Sequence, residues 1–156
     1  MAGRVDVRAT ATRIGDAIRA LLPGHRQDPW RDLLARGWQP EERELYRTEL
    51  DGVSVQVAGQ QSGPWGPVPC ILTNQRLLVP TSRQGVLQLP LTEISTVNPY
   101  RHYDSAVGFR YWVALYRRRG DFSDVRGQVC LRCKNPAQTE EVALQIQSAV
   151  REATGR

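Results

Sequence analysis

The sequence contains almost no lysine, and this affects how its charge is interpreted. Lys134 is the single lysine among 21 basic residues, so the net charge of +5 and the pI of about 9.6 come from arginine. Such a charge can indicate an anionic partner, either a lipid surface or nucleic acid. It can also reflect the codon usage of a GC-rich genome, because the arginines are spread over every segment. Charge alone therefore does not select a partner.

Long apolar runs and cysteines are also scarce. No run approaches the roughly 20 apolar residues that a membrane-spanning helix needs. The start Met-Ala-Gly-Arg-Val-Asp lacks the apolar core of a secretory signal. The odd count of three cysteines argues against a disulfide framework. We expect a protein of the reducing cytoplasm, with the membrane periphery as a further setting.

Residues 1–40 are predicted to form an N-terminal helical extension. Apolar residues recur at spacings of three and four between residues 5 and 22, where Pro23-Gly24 ends the first helix. A second helix runs from its capping residue Asp28 to Gly37. The first helix is basic and amphipathic, so its pattern is consistent with docking on the domain, on an anionic membrane or on another chain.

From residue 44 onward the pattern becomes that of short β-strands. Residues 44–50 and 53–57 are predicted to form a hairpin around Asp51-Gly52, because Asp-Gly is a strong hairpin signal. The segment 69–79 is predicted to form two strands around a turn at residues 73–75. A further strand is expected over residues 86–91.

Loops and one helix complete the predicted pattern. Residues 58–67 and 98–108 are predicted to be loops, and an alternating strand over residues 109–117 turns into a last strand. A helix is predicted to begin after Asn135, because a capping residue is followed by proline and, at the third helical position, by glutamine. Gly155 ends it.

Three short motifs resemble the core signature of GRAM-type and bacterial pleckstrin-homology-like (PH-like) domains. They are Thr73-Asn74, then Arg76-Leu77-Leu78, then Leu89-Pro90-Leu91-Thr92-Glu93-Ile94 with Val97. The resemblance covers about residues 44–154 and implies a PH-like domain over residues 41–156. The implied fold is α+β but mainly β: a strongly bent antiparallel sandwich or barrel of about seven strands, capped by a C-terminal helix.

The resemblance implies a range of functions. Members of these families bind phosphoinositides, other lipids, peptides or proteins, and some only oligomerise. Lipid-binding members place clustered Lys and Arg in the first hairpin, whereas here Arg47 is the only basic residue among Glu44, Glu49 and Asp51. This departure argues against inositol-phosphate recognition in the usual pocket.

The sequence offers no recognisable reactive centre. Cys130 and Cys133 form a C-x-x-C pair on a predicted strand, where alternation places the two side chains on opposite faces. A structural zinc site needs four ligands, so we interpret these residues as buried strand cysteines. No catalytic, cofactor-binding or metal-ligating residue is predicted, and the chain is not expected to be an enzyme.

The densest cationic run is the first candidate binding site. Arg117, Arg118 and Arg119 follow one another at the end of a strand, and arginine pairs well with phosphate and carboxylate groups. The alternative interpretation is a solvated hairpin tip balanced by Asp121 and Asp124.

Two further candidates lie in predicted loops. Arg101 and His102 form a second cationic site at the other end of the same strand, too far away to share a pocket with the first. Trp65, between two Gly-Pro pairs, is a candidate anchor for a membrane or a partner, and packing back over the sandwich is the alternative interpretation.

The leading hypothesis is a non-enzymatic PH-like interaction module that binds a protein partner or associates with itself, without a cofactor. Binding to anionic lipid through the arginine-rich loops is the first alternative. Nucleic-acid binding is the second, and the sequence argues against it because the interleaved basic and aromatic motifs of single-strand binders are missing.

Overall fold

The computed structural model describes residues 37–57, 60–62, 65–80, 86–117 and 128–155, without the side chains of residues 56–57, 60–62 and 65. The predicted N-terminal helices and the arginines at positions 118 and 119 lie outside these ranges. The described residues form one antiparallel sheet and one long helix.

The strands follow one another along a single curled sheet. In chain order they are β1 (Glu44–Val57), β2 (Gln60–Ser62), β3 (Trp65–Thr73), β4 (Arg76–Pro80), β5 (Val86–Pro90), β6 (Ile94–Asp104), β7 (Gly108–Arg117) and β8 (Val129–Cys133). Their order in the sheet is β5-β4-β3-β1-β8-β7-β6, with the short β2 paired to β1. Seven antiparallel strands thus curl into a half-barrel whose edge strands are β5 and β6.

The predicted first hairpin is wrong, because β1 runs unbroken through Asp51-Gly52. Its register on β3 shifts between Leu50 and Gly52, and Gly52 lies opposite Trp65 on one side and Arg132 on the other. Pairing on both sides holds the chain extended there. Because Gly52 has no side chain, it permits the bulge at which β1 bends. Asp-Gly therefore bends a central strand instead of reversing the chain.

Both predicted loops are also partly wrong. Gln60–Ser62 pairs with the end of β1, and Trp65 is the first residue of β3. Residues 98–104 belong to β6, which pairs with β7 from Ile94↔Arg117 to Asp104↔Gly108. Tertiary pairing with an aromatic-rich strand overrides the loop-like composition of this segment.

A 3₁₀ turn joins the two edges of the sheet. Residues Leu91–Glu93 connect β5 to β6, which lie at opposite ends of the strand order. The side chain of Leu91 is fully buried, and its N–H donates to the Gln75 carbonyl at 3.0 Å. The chain thus crosses from one edge of the sheet to the other at this turn.

The helix, α1 (Pro136–Thr154), fills the open side of the half-barrel as predicted. The Asn135 side chain accepts a hydrogen bond from the Gln138 N–H at 2.8 Å, and Gly155 ends the helix in the left-handed conformation at φ 68°. The Gln138 side chain donates to the Glu49 carbonyl at 2.9 Å, which fixes the start of α1 on β1.

The main core lies between the inner face of the sheet and α1. Burial of a leucine or isoleucine side chain contributes roughly 1.5–3 kcal/mol. The largest fully buried core side chains come from seven strands, the 3₁₀ turn and the helix: Leu50, Leu72, Leu77, Leu89, Leu91, Ile94, Leu115, Leu131 and Ile146.

Candidate functional site

The outer half of the hairpin formed by β6 and β7 carries the most exposed aromatic side chains of the described chain. Asp104 shapes its turn by accepting hydrogen bonds from the Ala106 N–H through its carboxylate and from the Val107 N–H through its carbonyl. The hydrogen bond from the Ala106 N–H is the main cause that lowers the pKa of the Asp104 carboxyl below its ordinary value. Gly108, at φ 84°, supplies the left-handed residue that returns the chain into β7.

One face of this hairpin carries a cluster of three side chains. The rings of Tyr103 and Phe109 meet edge to face with their centroids 5.2 Å apart. The Arg101 guanidinium lies 4.9 Å from the centroid of the Phe109 ring, within cation–π range. These residues alternate in phase with Val113 and Leu115, so they continue the core-facing side of the sheet beyond the core itself.

The cluster is open to solvent. Tyr103 is 62% exposed, Phe109 is 50% exposed, and Val107 at the turn is 59% exposed. Single exposed apolar residues are common, but neighbouring exposed aromatics beside an arginine are typical of interaction sites. We call Arg101, Tyr103, Val107 and Phe109 the hairpin surface.

A shallow groove of about 300 Å³ adjoins the hairpin surface. One wall comes from β6 and β7, and the other comes from the first turns of α1. The groove is lined by Pro99, Tyr100, Arg101, Tyr111, Pro136, Thr139 and Glu140. Arg101 belongs to both features, so the groove and the hairpin surface are continuous.

The predicted cationic sites have different outcomes. Arg101 and His102 are exposed residues of β6, opposite Tyr111 and Arg110, and lie in a strand instead of a loop. Arg117 ends β7, where its guanidinium lies 3.7 Å from a Glu93 carboxylate oxygen.

The two cationic sites remain separate. Arg101 lies opposite Tyr111, and Arg117 lies six positions further along β7, which corresponds to about 20 Å. Arg118 and Arg119 lie outside the described residues, and so does the side chain of Trp65. The structure therefore brings together Arg101 and the aromatics of the hairpin, whereas His102 lies on the opposite face of β6 beside Arg110.

The cysteines occupy buried positions that suit an inert role. Cys70 and Cys133 belong to the main core, whereas Cys130 lies on the other face of β8 and accepts a hydrogen bond from the Tyr100 hydroxyl at 3.7 Å. Burial raises the pKa of Cys70 to about 12 and that of Cys133 to about 11, so both thiols are protonated at neutral pH.

A buried ion pair lies at the opposite end of the sheet, and the sequence analysis did not identify it. Arg76 donates to both carboxylate oxygens of Glu42 at 2.8 and 2.9 Å, while the Thr73 hydroxyl and the Gln39 N–H donate to the same carboxylate. Arg76 also donates to the Gly37 carbonyl at 3.2 Å.

This network fixes residues 37–43 onto the sheet. The side chain of Glu42 is fully buried, and that of Arg76 is 8% exposed. Burial alone would raise the pKa of Glu42, but the hydrogen bonds from Arg76, Gln39 and Thr73 outweigh it and lower that pKa below its ordinary value. Groups of the chain itself donate all the hydrogen bonds that the Glu42 carboxylate accepts, which is the pattern of a structural ion pair.

The described residues contain neither a metal cluster nor a membrane-spanning helix. Within those ranges, no three histidine, cysteine, aspartate or glutamate side chains are placed to hold a metal ion. In the same ranges, no helix combines the length and the apolar composition needed to cross a bilayer.

Comparison with known proteins identifies the fold but not a family. No family model matches the chain, and no curated protein matches it. Among solved structures the chain is similar to the Vps36 N-terminal PH domain, with a TM-score of 0.57 and 14% identity over 77% of this chain and 87% of that one. The narrower assignment to GRAM-type or bacterial domains stays a prediction. At this low identity the likeness concerns architecture alone, and the chain has a PH-like fold.

Proposed function

We propose that the chain is a non-enzymatic PH-like interaction module that binds a partner protein, or a second copy of itself, through the hairpin surface and the adjoining groove. The observation that carries this proposal is the exposed Tyr103–Phe109 pair with Arg101 over one ring. Tyrosine and arginine are enriched among the few residues that carry most of the binding energy of protein interfaces, and aromatic residues in general are enriched at such interfaces.

The position of the pair supports the same proposal. Tyr103 and Phe109 lie beyond the main core, so the half-barrel closes without burying either ring. Burying such rings against a partner would recover free energy at roughly 25 cal/mol for each Å² of apolar surface removed from water. Because the core is complete without the rings of Tyr103 and Phe109, both rings are available to contact a partner.

Affinity capture with matched variants tests the proposal. The wild-type chain is expected to retain specific proteins from an extract of its source cells, or to form a dimer by light scattering. Phe109→Ala should lower that retention or dimer affinity at least tenfold, whereas Leu144→Ala should not. Leu144 is a suitable control because it is 63% exposed and lies on α1. Equal behaviour of the two variants would contradict the proposed surface.

Anionic-lipid binding is a second candidate, favoured by the apolar tip of the same hairpin. Val107 and Phe109 are exposed near Arg101 on one face of the hairpin and His102 on the other, a combination that suits shallow insertion of the tip next to acidic headgroups. Flotation with phosphatidylcholine vesicles, with and without phosphatidylserine, tests it. Recruitment that needs phosphatidylserine, falls with salt and is lost in Val107→Asp would support this candidate, and no recruitment would eliminate it.

A further inference from the structure

Strand β6 is an edge of the sheet, and only its first part is covered. The Val97 carbonyl accepts a hydrogen bond from the Gln147 side chain of α1 at 3.2 Å. Beyond that point the helix wall separates from the strand, and the groove opens between Pro99 and Pro136. An uncovered edge strand presents unpaired backbone donors and acceptors, on which another strand can be added.

The direction of the backbone groups along β6 follows from two observations. In an antiparallel pair, successive residues alternate between facing the neighbouring strand and facing away from it. The Val97 carbonyl faces away from β7, because it bonds to α1. Pro99, two residues after Val97, therefore also faces away from β7, and proline suits this position because it has no N–H to donate to β7. Positions that face away from β7 are called the outward phase of β6.

The following two positions of this phase are Arg101 and Tyr103. The register from Thr96↔Tyr116 to Asp104↔Gly108 is continuous, so the phase is kept. Arg101 and Tyr103 therefore direct both N–H and C=O away from the sheet. Within the described residues, none of these four backbone groups has a hydrogen-bond partner.

The groove beside this edge is chemically mixed. Tyr111 and Pro136 provide apolar surface, while Arg101 and Glu140 place opposite charges along it. Neither Arg101 nor Glu140 forms an ion pair within the described residues, whereas Arg110 on the same hairpin is paired with Asp104 at 3.7 Å. A ligand with a carboxylate and a basic group at suitable spacing would complement both charges.

We propose that the edge of β6 over residues 99–103 receives an extended peptide segment of a partner protein as an added strand. The segment would place an apolar side chain against Tyr111 and Pro136 and a carboxylate beside Arg101. Main-chain hydrogen bonds supply affinity in this mode, and side-chain sites supply selectivity. This inference rests on the proposed function, since it specifies how a protein partner would use the same surface.

Selection from a random peptide library displayed on phage tests the inference. Purified wild-type protein should enrich sequences with an apolar residue and a carboxylate at a fixed spacing. Arg101→Ala keeps the backbone N–H but removes the charge, so it should lose the preference for a carboxylate. Failure of the wild-type protein to enrich any sequence would overturn strand addition.

A matched pair of variants at position 103 separates backbone from side-chain binding. Tyr103→Pro removes the outward N–H and the ring, whereas Tyr103→Ala removes the ring alone. Pro99 shows that this phase of β6 accommodates proline. The selected peptide should bind the proline variant about three- to tenfold more weakly than the alanine variant, because one backbone hydrogen bond is missing.

Amide hydrogen exchange of the wild-type protein provides a measurement that does not depend on a variant folding. The Arg101 and Tyr103 amides should become protected when the selected peptide is added. If the peptide binds but these amides stay unprotected and the two variants bind equally, the strand mode is wrong and the proposed function still stands. If the protein is a dimer in solution that Tyr103→Pro dissociates, the occupant of the edge is a second copy, which overturns the peptide proposal.

Discussion

Replacing Glu42 with glutamine removes the negative charge from the buried pair that holds residues 37–43 against the sheet. In the native chain the Glu42 carboxylate accepts two hydrogen bonds from Arg76, one from the Thr73 hydroxyl and one from the Gln39 N–H. A glutamine side chain at this position would keep one oxygen acceptor. Its amide N–H groups, however, would face the N–H and O–H groups that donate to the native carboxylate. The Arg76 guanidinium, which is 8% exposed, would remain charged without a counter-ion.

The expected cost follows from this burial. Breaking a buried ion pair by removing one partner costs about 3–5 kcal/mol, because the remaining charge is uncompensated. Glutamine retains one acceptor and the side-chain volume, so we expect about 3 kcal/mol, at the lower end of that range. For a chain of 156 residues this corresponds to a fall in Tm of roughly 10 °C.

Urea unfolding at neutral pH measures this free energy, and an exposed pair provides the control. The Lys134 and Glu49 side chains lie 3.3 Å apart but are 44% and 48% exposed, so Glu49→Gln should cost less than about 1 kcal/mol. If Glu42→Gln costs no more than Glu49→Gln, with an unchanged m-value, the buried pair does not stabilise the domain and our reasoning is refuted.

The same carboxylate predicts a pH dependence. The pKa of Glu42 is lower in the folded chain than its ordinary value of 4.5, so its stabilising effect is complete above that value. It is lost as pH falls below 4.5 and through the folded-state pKa. The difference in unfolding free energy between wild type and Glu42→Gln should therefore shrink on acidification, and a difference that stays constant down to about pH 2 would contradict this assignment.

Three further predictions concern the helix cap and the buried thiols. Asn135→Ala should lower the unfolding free energy by about 1 kcal/mol in urea titrations, because the Gln138 N–H loses its acceptor, and Asn135→Ser should restore most of it. Cys70 and Cys133 should react with a thiol reagent at about pH 8 far more slowly in the folded protein than in urea, and equal rates would show that they are accessible. Stability should fall as pH rises from about 9 toward 11 and 12, because the unfolded thiols ionise before the buried ones.

The fold was largely predictable because several local signals agree with the tertiary structure. The Thr73-Asn74-Gln75 segment turns the chain between β3 and β4, as predicted, with the Thr73 hydroxyl accepting from the Gln75 and Arg76 N–H groups. The cap at Asn135 and the left-handed Gly155 delimit α1 where expected. These signals act over a few residues, so they do not depend on knowing the pairing of distant strands.

The errors arise where distant pairing overrides a local signal. Asp51-Gly52 has the composition of a two-residue turn, but β3 and β8 flank it and keep it extended. Residues 98–104 contain asparagine, proline and aspartate, which resemble a loop, yet they pair along their length with β7. A single sequence does not show which strand lies beside which, and that information decides both segments.

The candidate site was only partly predictable for a related reason. Arg101 was identified from its charge, whereas Tyr103 and Phe109 were not, because alternation along residues 109–115 gives Phe109 the same phase as the core residue Val113. Periodicity reports the face on which a side chain lies, but not where along the strand the core ends. The exposure of Phe109 depends on the length of the hairpin relative to the half-barrel. The Glu42–Arg76 pair was missed because its members are 34 residues apart and neither belongs to a periodic pattern.

The residues that stabilise the domain and the proposed binding surface lie in different parts of the sheet. The buried Glu42–Arg76 pair and the core that ends near Val113 hold the half-barrel together. The hairpin surface lies beyond that core, at the end of the paired strands β6 and β7. Side chains at positions 103, 107 and 109 can therefore vary in chemistry with little effect on unfolding free energy, whereas a change at position 42 affects the whole domain. Substitutions on the hairpin surface can therefore change what it contacts without loss of the fold.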